Sequence, residues 1–483
     1  MKITLLALNG SFSHSSLAIR CLRDALQRET EHEVTLVEAT LRDRTAAVLE
    51  RLVEENADLY GFSLYIWNLP QMLSLACDLK TLRPKAHVVL GGPEASFATE
   101  RFDALPFPHT VITGEGESAI VTLAELLATG KQPPARMAGT PDPHFTEGGI
   151  RYPENEPVSA LVYYESSRGC PFSCRFCLSS AGHGVRAKSA EQTLADLLLF
   201  EQHREPLTVK LVDRTFNFDR ERAKAIWQGL LDERYTKCYH FEICAALLDE
   251  ESFEILSHFK KGKVQLEIGL QSTNEKTLAA IGRRNDADAV IAAAARIKQQ
   301  GNIHVHLDLI AGLPHEDLPS FRQSFDRAFF AADHLQLGFL KLLHGTALRE
   351  DAASYGIRFS KDPPYTVLET DCLSFGELCR LRRIAALLDR MTERGRFAHS
   401  LHALLPRICS PFDLFDGFAA HLASKDRREL QQIGSRELFF HLADYGMTLL
   451  EGADRAAFLE AVKTDFAACE VRRVSDFEKR YQQ

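Results

Sequence analysis

The sequence predicts an α/β protein with three parts: an N-terminal doubly wound Rossmann-like domain, a central partial (βα)6 barrel and a mostly α-helical C-terminal domain. Short apolar runs alternate with amphipathic helical patterns over the first 130 residues and again after Leu161, and this alternation is typical of parallel sheets. Helical periodicity alone continues in the last 130 residues. We place the boundaries at 1–130, 131–160 (a linker), 161–350 and 351–483.

Apolar runs predict the strands of the first sheet: Ile3–Leu8, Val34–Val37, Leu59–Leu64, His87–Leu90 and Thr110–Ile112. Helical patterns such as Ser16–Gln27 and Arg44–Glu55 lie between them. Sheets of this kind bind ligands at the carboxyl ends of their strands, so the residues that follow each run are candidates. These candidates are Ser63, Trp67, Gly91, Gly92, Glu115 and Gly116. Paired glycines let a bulky ligand approach the backbone, and an indole offers a flat apolar face.

The segment 131–160 is rich in proline and glycine and has few periodic apolar positions, which predicts a linker. Strand-like runs then resume at Leu161–Ser166, Leu207–Val212, His240–Cys244, Val264–Leu270, His304–Ile310 and His334–Leu340. Six βα repeats predict an incomplete parallel barrel, whose active sites lie at the carboxyl-end mouth. A cysteine-rich loop follows the first of these strands and therefore lies at that mouth.

The cysteine loop is the most informative motif of the chain. Cys170, Cys174 and Cys177 have the spacing C-x3-C-x2-C, with Phe176 before the last of them. Thiolates are the usual ligands of a [4Fe–4S] cluster, and three of them leave one iron open to a substrate or cofactor. A structural zinc site stays open as an alternative, since His183 could supply a fourth ligand. Eleven cysteines in 483 residues do not indicate a disulfide framework.

This motif resembles the radical S-adenosylmethionine (radical SAM) superfamily. The resemblance implies that the three cysteines hold a [4Fe–4S] cluster whose open iron chelates S-adenosylmethionine. One electron from the cluster then cleaves that cofactor to methionine and a 5′-deoxyadenosyl radical. Phe176 would be the aromatic residue whose backbone approaches the adenine. Reduction of the cluster implies an external electron donor of the flavodoxin or ferredoxin type.

The first domain resembles a cobalamin-binding domain, because a serine after the third strand and a Gly-Gly after the fourth have a similar spacing there. The resemblance implies that Ser63, Gly91 and Gly92 contact the nucleotide tail of cobalamin. The family signature Asp-x-His-x-x-Gly is replaced by Asn-Gly-Ser-Phe-Ser-His ending at His14, so the lower cobalt ligand is not predicted. We expect His14 to be a loop or capping residue.

Polar residues at later strand ends suit S-adenosylmethionine. The run Gly-Leu-Gln-Ser-Thr-Asn-Glu followed by Ile-Gly-Arg-Arg resembles the radical SAM branch related to coproporphyrinogen oxidase. That resemblance implies that Gln271 and Asp308 contact the ribose and that Arg283 contacts the methionine carboxylate. Asp213 and Glu242 are further candidates, and Glu267 shares the strand face of Gln271. Taken singly, these residues could instead cap helices or lie on solvated faces.

The C-terminal part has helical periodicity over Phe375–Met391, Ser435–Tyr445 and Ala456–Phe466. It resembles an uncharacterised helical domain found in one branch of cobalamin-binding radical SAM proteins. Tyr365 and Glu369 lie on the approach to this region and are expected to reach the barrel mouth, with packing and capping as the alternative.

Composition limits the partners and the location. The net charge is −9 and the pI is about 6.1, which disfavours nucleic acid as a partner. No apolar run is long enough to span a bilayer, and the N-terminal run is too short for a signal peptide. We therefore expect a cytoplasmic protein with a small-molecule or otherwise unidentified substrate.

The resemblances together imply a radical SAM enzyme, and in particular a cobalamin-dependent methyltransferase that acts on an unactivated carbon. Two alternatives remain: a cobalamin-dependent radical cyclase or rearrangement enzyme without methyl transfer, and a non-catalytic cobalamin- or metal-binding sensor. The sequence offers no clear site for cofactor-free acid–base chemistry, so it predicts no catalytic side chain.

Overall fold

The structure is a computed structural model of the 483-residue chain. It describes residues 1–153, 159–181, 184–203, 207–392, 395–408, 410–426, 428–469 and 474–481. Two six-stranded parallel sheets and a C-terminal helical region follow one another along the chain, which confirms the predicted fold class. Within the described residues, no helix is long and apolar enough to cross a membrane.

The first sheet has the strand order β2-β1-β3-β4-β5-β6, and every pairing in it is parallel. Its strands are β1 (Lys2–Asn9), β2 (Glu33–Thr40), β3 (Leu59–Ser63), β4 (His87–Gly91), β5 (His109–Thr113) and β6 (Arg136–Ala138). The helices between them are α1 (Leu17–Glu29), α2 (Thr45–Glu55), α3 (Leu69–Leu82), α4 (Pro93–Phe97) and α5 (Glu117–Ala128).

Alternate residues of β1 enter two separate cores, one on each face of this sheet. Ile3 and Leu5 pack with residues of α1 and α5, whereas Leu6 and Leu8 pack with residues of α2 and α3. Because side chains alternate across a strand, helices on both faces require an almost continuous apolar run. This explains why β1 is almost entirely apolar from Ile3 to Leu8. The order of strands reverses beside β1, at the position where doubly wound sheets bind ligands.

The segment 131–160 is more than the linker that its composition predicts. Residues 136–138 form β6 and extend the first sheet beyond residue 130. Phe145 and Tyr152 are buried, and Tyr152 packs into the core of the barrel. Proline-rich chain can still pair at a sheet edge, where fewer backbone donors are needed, and composition alone does not reveal this.

The second sheet is the partial barrel, with parallel strands in the order β14-β13-β12-β11-β10-β7. Its strands are β7 (Leu161–Tyr164), β10 (Thr208–Leu211), β11 (Cys238–Ile243), β12 (Val264–Gln271), β13 (His304–Ala311) and β14 (His334–Phe339). A short hairpin of β8 (Ser167–Arg168) and β9 (Arg186–Ala187) brackets the cysteine loop. The helices are α6 (Ala190–Leu199), α7 (Arg220–Gly229), α8 (Glu250–Ser257), α9 (Glu275–Ala280), α10 (Ala287–Gln300) and α11 (Leu318–Phe329).

The C-terminal region packs on the barrel and shares its hydrophobic core. It begins with α12 (Ala347–Glu350) and a small antiparallel pair, β15 (Arg358–Phe359) and β16 (Val367–Glu369). The helices that follow are α13 (Phe375–Thr392), α14 (Ala398–Leu404), α15 (Pro411–Lys425), α16 (Ser435–Leu449), α17 (Gly452–Cys469) and α18 (Val474–Tyr481). On the barrel side, Asp326 of α11 accepts hydrogen bonds from Ser410 and from the Phe412 amide.

The turn after β4 is fixed against the end of β3. Gly92 has φ +106°, and a Cβ there would lie 2.6 Å from the carbonyl oxygen of Leu64. The amide of Leu64 in turn donates to the carbonyl of Gly91. Gly91 has no comparable constraint, because a Cβ there would meet no atom within 4 Å.

We therefore expect Gly92→Ala to lower the free energy of unfolding by about 2 to 3 kcal/mol, because alanine is strained at this φ and meets a backbone oxygen. The neighbouring Gly91→Ala variant is the matched control and should unfold almost like the wild type. Denaturant unfolding of the three full-length proteins measures both effects. Equal stability of the two variants would contradict this description of the turn.

Candidate functional site

The cysteine loop begins where β7 ends and is held by three neighbouring segments. Gly169 has φ +97°, and a Cβ there would lie 2.2 Å from the carbonyl oxygen of Gly184, so this entry to the loop requires glycine. In the middle of the loop the amide of Arg175 donates to the carbonyl of Ile281. The carbonyl of Arg175 accepts from the amide of Leu348, at the start of α12. The loop is thus anchored to both the barrel and the C-terminal region.

None of the three cysteines forms a disulfide bond, and Cys170 and Cys177 lie close enough to Cys174 to influence its charge. Burial raises the pKa of Cys174, the charges of Cys177 and Cys170 raise it further, and Arg283 lowers it. The Sγ of Cys170 lies 3.6 Å from the Oγ1 of Thr215. Among the described residues, no three His, Cys, Asp or Glu side chains are arranged to hold a single metal ion. His183, the alternative zinc ligand, lies outside the described residues.

Asp213 is held by hydrogen bonds within the protein. Its carboxylate is completely buried and accepts hydrogen bonds from the amide and hydroxyl of Ser166 and from the hydroxyl of Ser167. These bonds fix the chain just before the cysteine loop. The sequence placed Asp213 correctly at a strand end, but its hydrogen bonds are already made within the protein.

Gln271, Arg283 and Asp308 come together around Gly269 of β12. A Cβ on Gly269 would lie 2.4 Å from the Nε2 of Gln271 and 3.3 Å from the guanidinium of Arg283. Arg283 also donates to the carbonyl of Gly269 at 2.7 Å, and Gly269 pairs with Asp308 in the sheet register. The register shifts between Gly269 and Gln271, and Gln271 has φ +72°. Such a backbone turns the amide at the strand end away from the regular pleat.

Two oxygen atoms of this group are buried without a partner. The Oε1 of Gln271 and the Oδ1 of Asp308 make no hydrogen bond to any described residue. Buried polar atoms are normally satisfied, and orphaned acceptors of this kind call for a ligand or water. Carboxylate and amide oxygens accept hydrogen bonds from a ribose diol, and a guanidinium suits an α-carboxylate. These residues therefore fit S-adenosylmethionine.

Phe176 and Glu242 are the remaining predicted S-adenosylmethionine contacts. Phe176 packs its partly buried ring against the hydrophobic core beside the cysteines. Glu242 lies on β11, where burial raises its pKa and the charge of Lys210 opposes that rise. The Oε1 of Glu242 is 3.3 Å from the Nζ of Lys210, so this carboxylate already has one cationic partner.

Charged and polar side chains of neighbouring barrel strands form a network inside the barrel, near Asp308. Lys210 donates to Glu267 at 2.8 Å, and the Nε2 of His240 lies 2.9 Å from the same carboxylate. Although burial alone would raise the pKa of Glu267, the hydrogen bond to His240 and the charge of Lys210 lower it to about 2. The Nε2 of His306 is also buried and has no partner among the described residues. The barrel interior is therefore polar.

Three of the predicted residues lie at one edge of the first sheet, and two of them, Trp67 and Gly91, border open space. Trp67 is 49% exposed and stacks on Tyr65 with ring centroids 4.3 Å apart. Ser63, the last residue of β3, is buried and pairs with Gly91, the last residue of β4. A Cβ added at Gly91 would have no atom within 4 Å, so the backbone there is open. The edge thus combines exposed aromatic surface with open backbone, which suits a large planar ligand.

Glu115 and Gly116 do not belong to this open edge. The carboxylate of Glu115 is bound by Arg168 at 2.6 Å, by Arg186 and by the amide of Asp142. A Cβ on Gly116 would lie 3.1 Å from the side chain of Leu22, so this glycine allows close packing on α1. The sequence could not show that two arginines of the next domain neutralise Glu115.

Arg168 joins the two sheets two residues before Cys170. Its guanidinium donates to Glu115, to Glu117 at 2.7 Å and to Glu165 at 2.8 Å. Burial disfavours its charge, but Glu165 and Glu117 outweigh this effect and raise the pKa of Arg168 above its ordinary value. A second link joins His14, after β1, to the hydroxyl of Tyr163 on β7 at 2.5 Å. The carboxyl ends of both sheets are thereby held together.

Tyr365 and Glu369 do not reach the barrel mouth. Tyr365 is fully buried against the first domain, where its hydroxyl donates to Glu94. Glu369 pairs with Arg358 at 2.7 Å across the β15–β16 ribbon. Nearness in sequence to the barrel does not indicate which domain a loop faces.

Sequence reasoning missed the interior residues Lys210, His240 and His306. A signal was present, since polar residues recur at every second position of His304-Val-His-Leu-Asp308 and of His240-Phe-Glu242. Alternation of this kind indicates a strand with one polar face, which in a barrel is the inner one. Nothing in the sequence indicated the partners of Arg168.

Three family models match successive parts of the chain. The B12 binding domain matches residues 3–124, and the Radical SAM superfamily matches residues 164–328. A family described as a protein of unknown function (DUF4080) matches residues 353–478. The chain therefore carries a B12 binding domain and a radical SAM domain in succession.

Several curated relatives of the chain are named as methyltransferases or methylases. The chain is 26% identical over 344 residues to the cobalamin-dependent radical SAM methyltransferase TokK of Streptomyces tokunonensis. The alignment covers 62% of this chain and 50% of TokK. It is 26% identical over 295 residues to the hopanoid C-3 methylase of Methylococcus capsulatus, covering 56% of this chain and 55% of that enzyme. The chain spans about half the length of the curated relatives it matches.

Solved structures share the fold of this chain. The cobalamin-dependent S-adenosylmethionine radical enzyme OxsB, solved with aqua-cobalamin and S-adenosylmethionine, aligns over 99% of this chain and 83% of its own with a TM-score of 0.65 and 14% identity. The methyltransferase TsrM from Kitasatospora setae, solved with cobalamin and a [4Fe-4S] cluster, aligns over 88% of this chain and 99% of its own with a TM-score of 0.64 and 15% identity.

The raised pKa of the Asp308 carboxyl should make the stability of the fold depend on pH. Burial, with added repulsion from Glu267 and Glu242, raises its pKa from the ordinary value of 3.8 to about 8. Between these values the native state keeps a proton that the unfolded chain has lost. Stability should therefore fall as the pH rises through this window, by up to about 1.4 kcal/mol per pH unit. Asp308→Asn removes this loss.

Denaturant unfolding of wild type and Asp308→Asn across this window checks the expectation. The difference in the free energy of unfolding should shift in favour of the variant as the pH rises. Asp78→Asn, at an exposed position on α3, is the control and should show no such trend. A constant difference for Asp308→Asn would contradict the raised pKa.

Proposed function

We propose that the chain is a cobalamin-dependent radical SAM methyltransferase that acts on an unactivated carbon of a small polar molecule. The observation that carries this proposal is the joining of two sheet edges around the cysteine loop. Arg168 and Tyr163, at the end of the first barrel strand, bind Glu115, Glu117 and His14, which follow strands of the first sheet. Ligands bound at the two edges would share one space.

Residues of the barrel would hold the cluster and S-adenosylmethionine. The thiolates of Cys170, Cys174 and Cys177 would bind a [4Fe-4S] cluster, since they lie in one anchored loop and are the ligands that such a cluster requires. Gln271 and Asp308 would accept from the ribose through their unpartnered oxygens, and Arg283 would bind the methionine carboxylate. Phe176 would place its backbone against the adenine.

The first domain would hold cobalamin. The backbone at Gly91 and Gly92 and the end of β3 at Ser63 would border the nucleotide tail, and the exposed indole of Trp67 would face the corrin ring. When bound, these cofactors supply a 5′-deoxyadenosyl radical that abstracts hydrogen and a methyl group that is transferred to the substrate. The protein's own groups position the reactants and exclude water.

The polar barrel interior supports a polar substrate. Lys210, Glu242, Glu267 and His240 form a connected network of charges and hydrogen bonds there. An apolar molecule would desolvate these groups without replacing their interactions with water, which is costly. A small molecule with hydrogen-bonding groups is therefore the class of substrate that this interior favours.

An external electron donor of the flavodoxin or ferredoxin type is part of the proposal. Each cleavage of S-adenosylmethionine consumes one electron, and no described side chain can act as its source. A cytoplasmic location, where thiols stay reduced, would suit both this donor and the free cysteines.

Anaerobic reconstitution with iron, sulfide and hydroxocobalamin, followed by dithionite and S-adenosylmethionine, tests the radical chemistry. We expect the wild type to form 5′-deoxyadenosine and Cys174→Ala to form none, because the variant lacks one of the three thiolates. Cys372→Ala removes a free cysteine that lies outside the loop, and it should retain the activity. A wild type that holds a full cluster without forming this product would favour the non-catalytic sensor.

Transfer of label from methyl-labelled S-adenosylmethionine then distinguishes the two enzyme classes. Label that appears in a metabolite from a cell extract, and depends on added hydroxocobalamin, supports methyl transfer. Formation of 5′-deoxyadenosine with a changed but unlabelled metabolite would favour the cyclase or rearrangement enzyme instead.

A further inference from the structure

A buried polar cluster connects the C-terminal region to the first domain. The hydroxyl of Tyr365 donates to the Oε2 of Glu94 at 2.5 Å and accepts from the guanidinium of Arg101 at 2.7 Å. Arg101 also lies 3.7 Å from the same carboxylate oxygen. Tyr365 is 0% exposed and Glu94 is 3% exposed. Tyr365 belongs to the part of the chain that matches the family of unknown function, and its two partners belong to the B12 binding domain.

The Tyr365 ring is held on several sides. The guanidiniums of Arg349 and Arg101 lie 5.0 and 5.6 Å from its centroid, and the imidazole of His344 meets it edge-on at 5.0 Å. Its carbonyl accepts from the amide of Leu342, directly after the last barrel strand. Burial and then the hydrogen bond to Glu94 raise the pKa of the Tyr365 hydroxyl above its ordinary value. The hydroxyl therefore keeps its proton and acts as a fixed donor.

Glu94 lies in the turn that would hold the cobalamin tail. It is the second residue of α4, two positions after Gly92, and its amide donates to the carbonyl of Leu64 at 3.4 Å. Three residues further on, Phe97 packs on Gly345, where a Cβ would lie 2.2 Å from the aromatic ring. The C-terminal side thus contacts α4 at both of its ends.

We propose that the C-terminal region, through Tyr365, fixes the Gly91–Gly92 turn in the position that receives the nucleotide tail of cobalamin. Tyr365 is then a positioning residue that acts through Glu94 and does not itself touch the cofactor. This inference rests on the proposed cobalamin site, and it gives the region of unknown function a role in loading the first domain.

The physical reason is the burial of the Glu94 carboxylate. A buried charge is stable only when its hydrogen bonds are made, and Tyr365 supplies a short one. Without this hydroxyl the carboxylate must turn toward water or Arg101, and α4 turns with it. Linkage then requires the two events to be reciprocal: the docked C-terminal region strengthens cobalamin binding, and bound cobalamin strengthens the docking.

The test uses full-length protein, with hydroxocobalamin as the probe. Equilibrium dialysis measures its dissociation constant for wild type, Tyr365→Phe and Tyr355→Phe. The last is the matched control, since Tyr355 lies in the same region with its ring against His315. We expect Tyr365→Phe to weaken binding about tenfold or more, as loss of a hydrogen bond to a charged group does, and Tyr355→Phe to leave it unchanged. Glu94→Gln should weaken binding as well.

Two further readouts distinguish positioning from simple stabilisation. The iron content of the reconstituted cluster should be the same in Tyr365→Phe and wild type, since the cysteine loop is intact. A variant with a lower melting temperature but an unchanged dissociation constant would overturn the proposal, as would unchanged values of both. If the wild type itself does not bind hydroxocobalamin, the proposed function fails, and this inference fails with it.

Discussion

The arrangement of this protein depends on the ion cluster that Arg168 forms between two parallel sheets. The guanidinium binds one carboxylate of its own domain, Glu165, and two of the first domain, Glu115 and Glu117. The Arg168 side chain is 14% exposed, so these three charge-assisted hydrogen bonds are partly shielded from water and constrain the two sheets to meet here. Because Cys170 follows only two residues later, the same cluster sets where the cysteine loop lies relative to the first domain.

Satisfied and unsatisfied polar atoms separate the residues whose hydrogen bonds the protein itself supplies from those proposed to bind S-adenosylmethionine. Asp213 and Glu115 lie at strand ends, as ligand contacts do, yet the protein itself supplies their hydrogen bonds. Gln271, at the end of β12, and Asp308, within β13, have buried oxygens that no described residue satisfies. The C-terminal region contacts the first domain through Tyr365, which donates to Glu94.

Much of the fold could be predicted from the sequence because each parallel strand is a short apolar run. The predicted run Val264–Leu270 and the observed strand Val264–Gln271 differ by one residue. Gln271 and Arg283 could be named because their spacing resembles a known motif. Contacts between domains were not predictable in this way: β6 occurs in a proline-rich segment, and Tyr365 lies 271 residues from Glu94. Such pairs leave no local pattern, since nothing in either segment shows which surface it meets.

In the proposed arrangement, the two sheet edges hold cobalamin and the cluster around one shared space. Electron paramagnetic resonance of reconstituted protein tests it most directly, by measuring the relaxation of the cob(II)alamin signal with the cluster oxidised and with it reduced. Two paramagnetic centres that share a cavity interact, so reduction of the cluster should speed this relaxation in the wild type and have no effect in Cys174→Ala. Relaxation that is unchanged by reduction of a fully loaded cluster would show that the centres lie far apart and would contradict the claim.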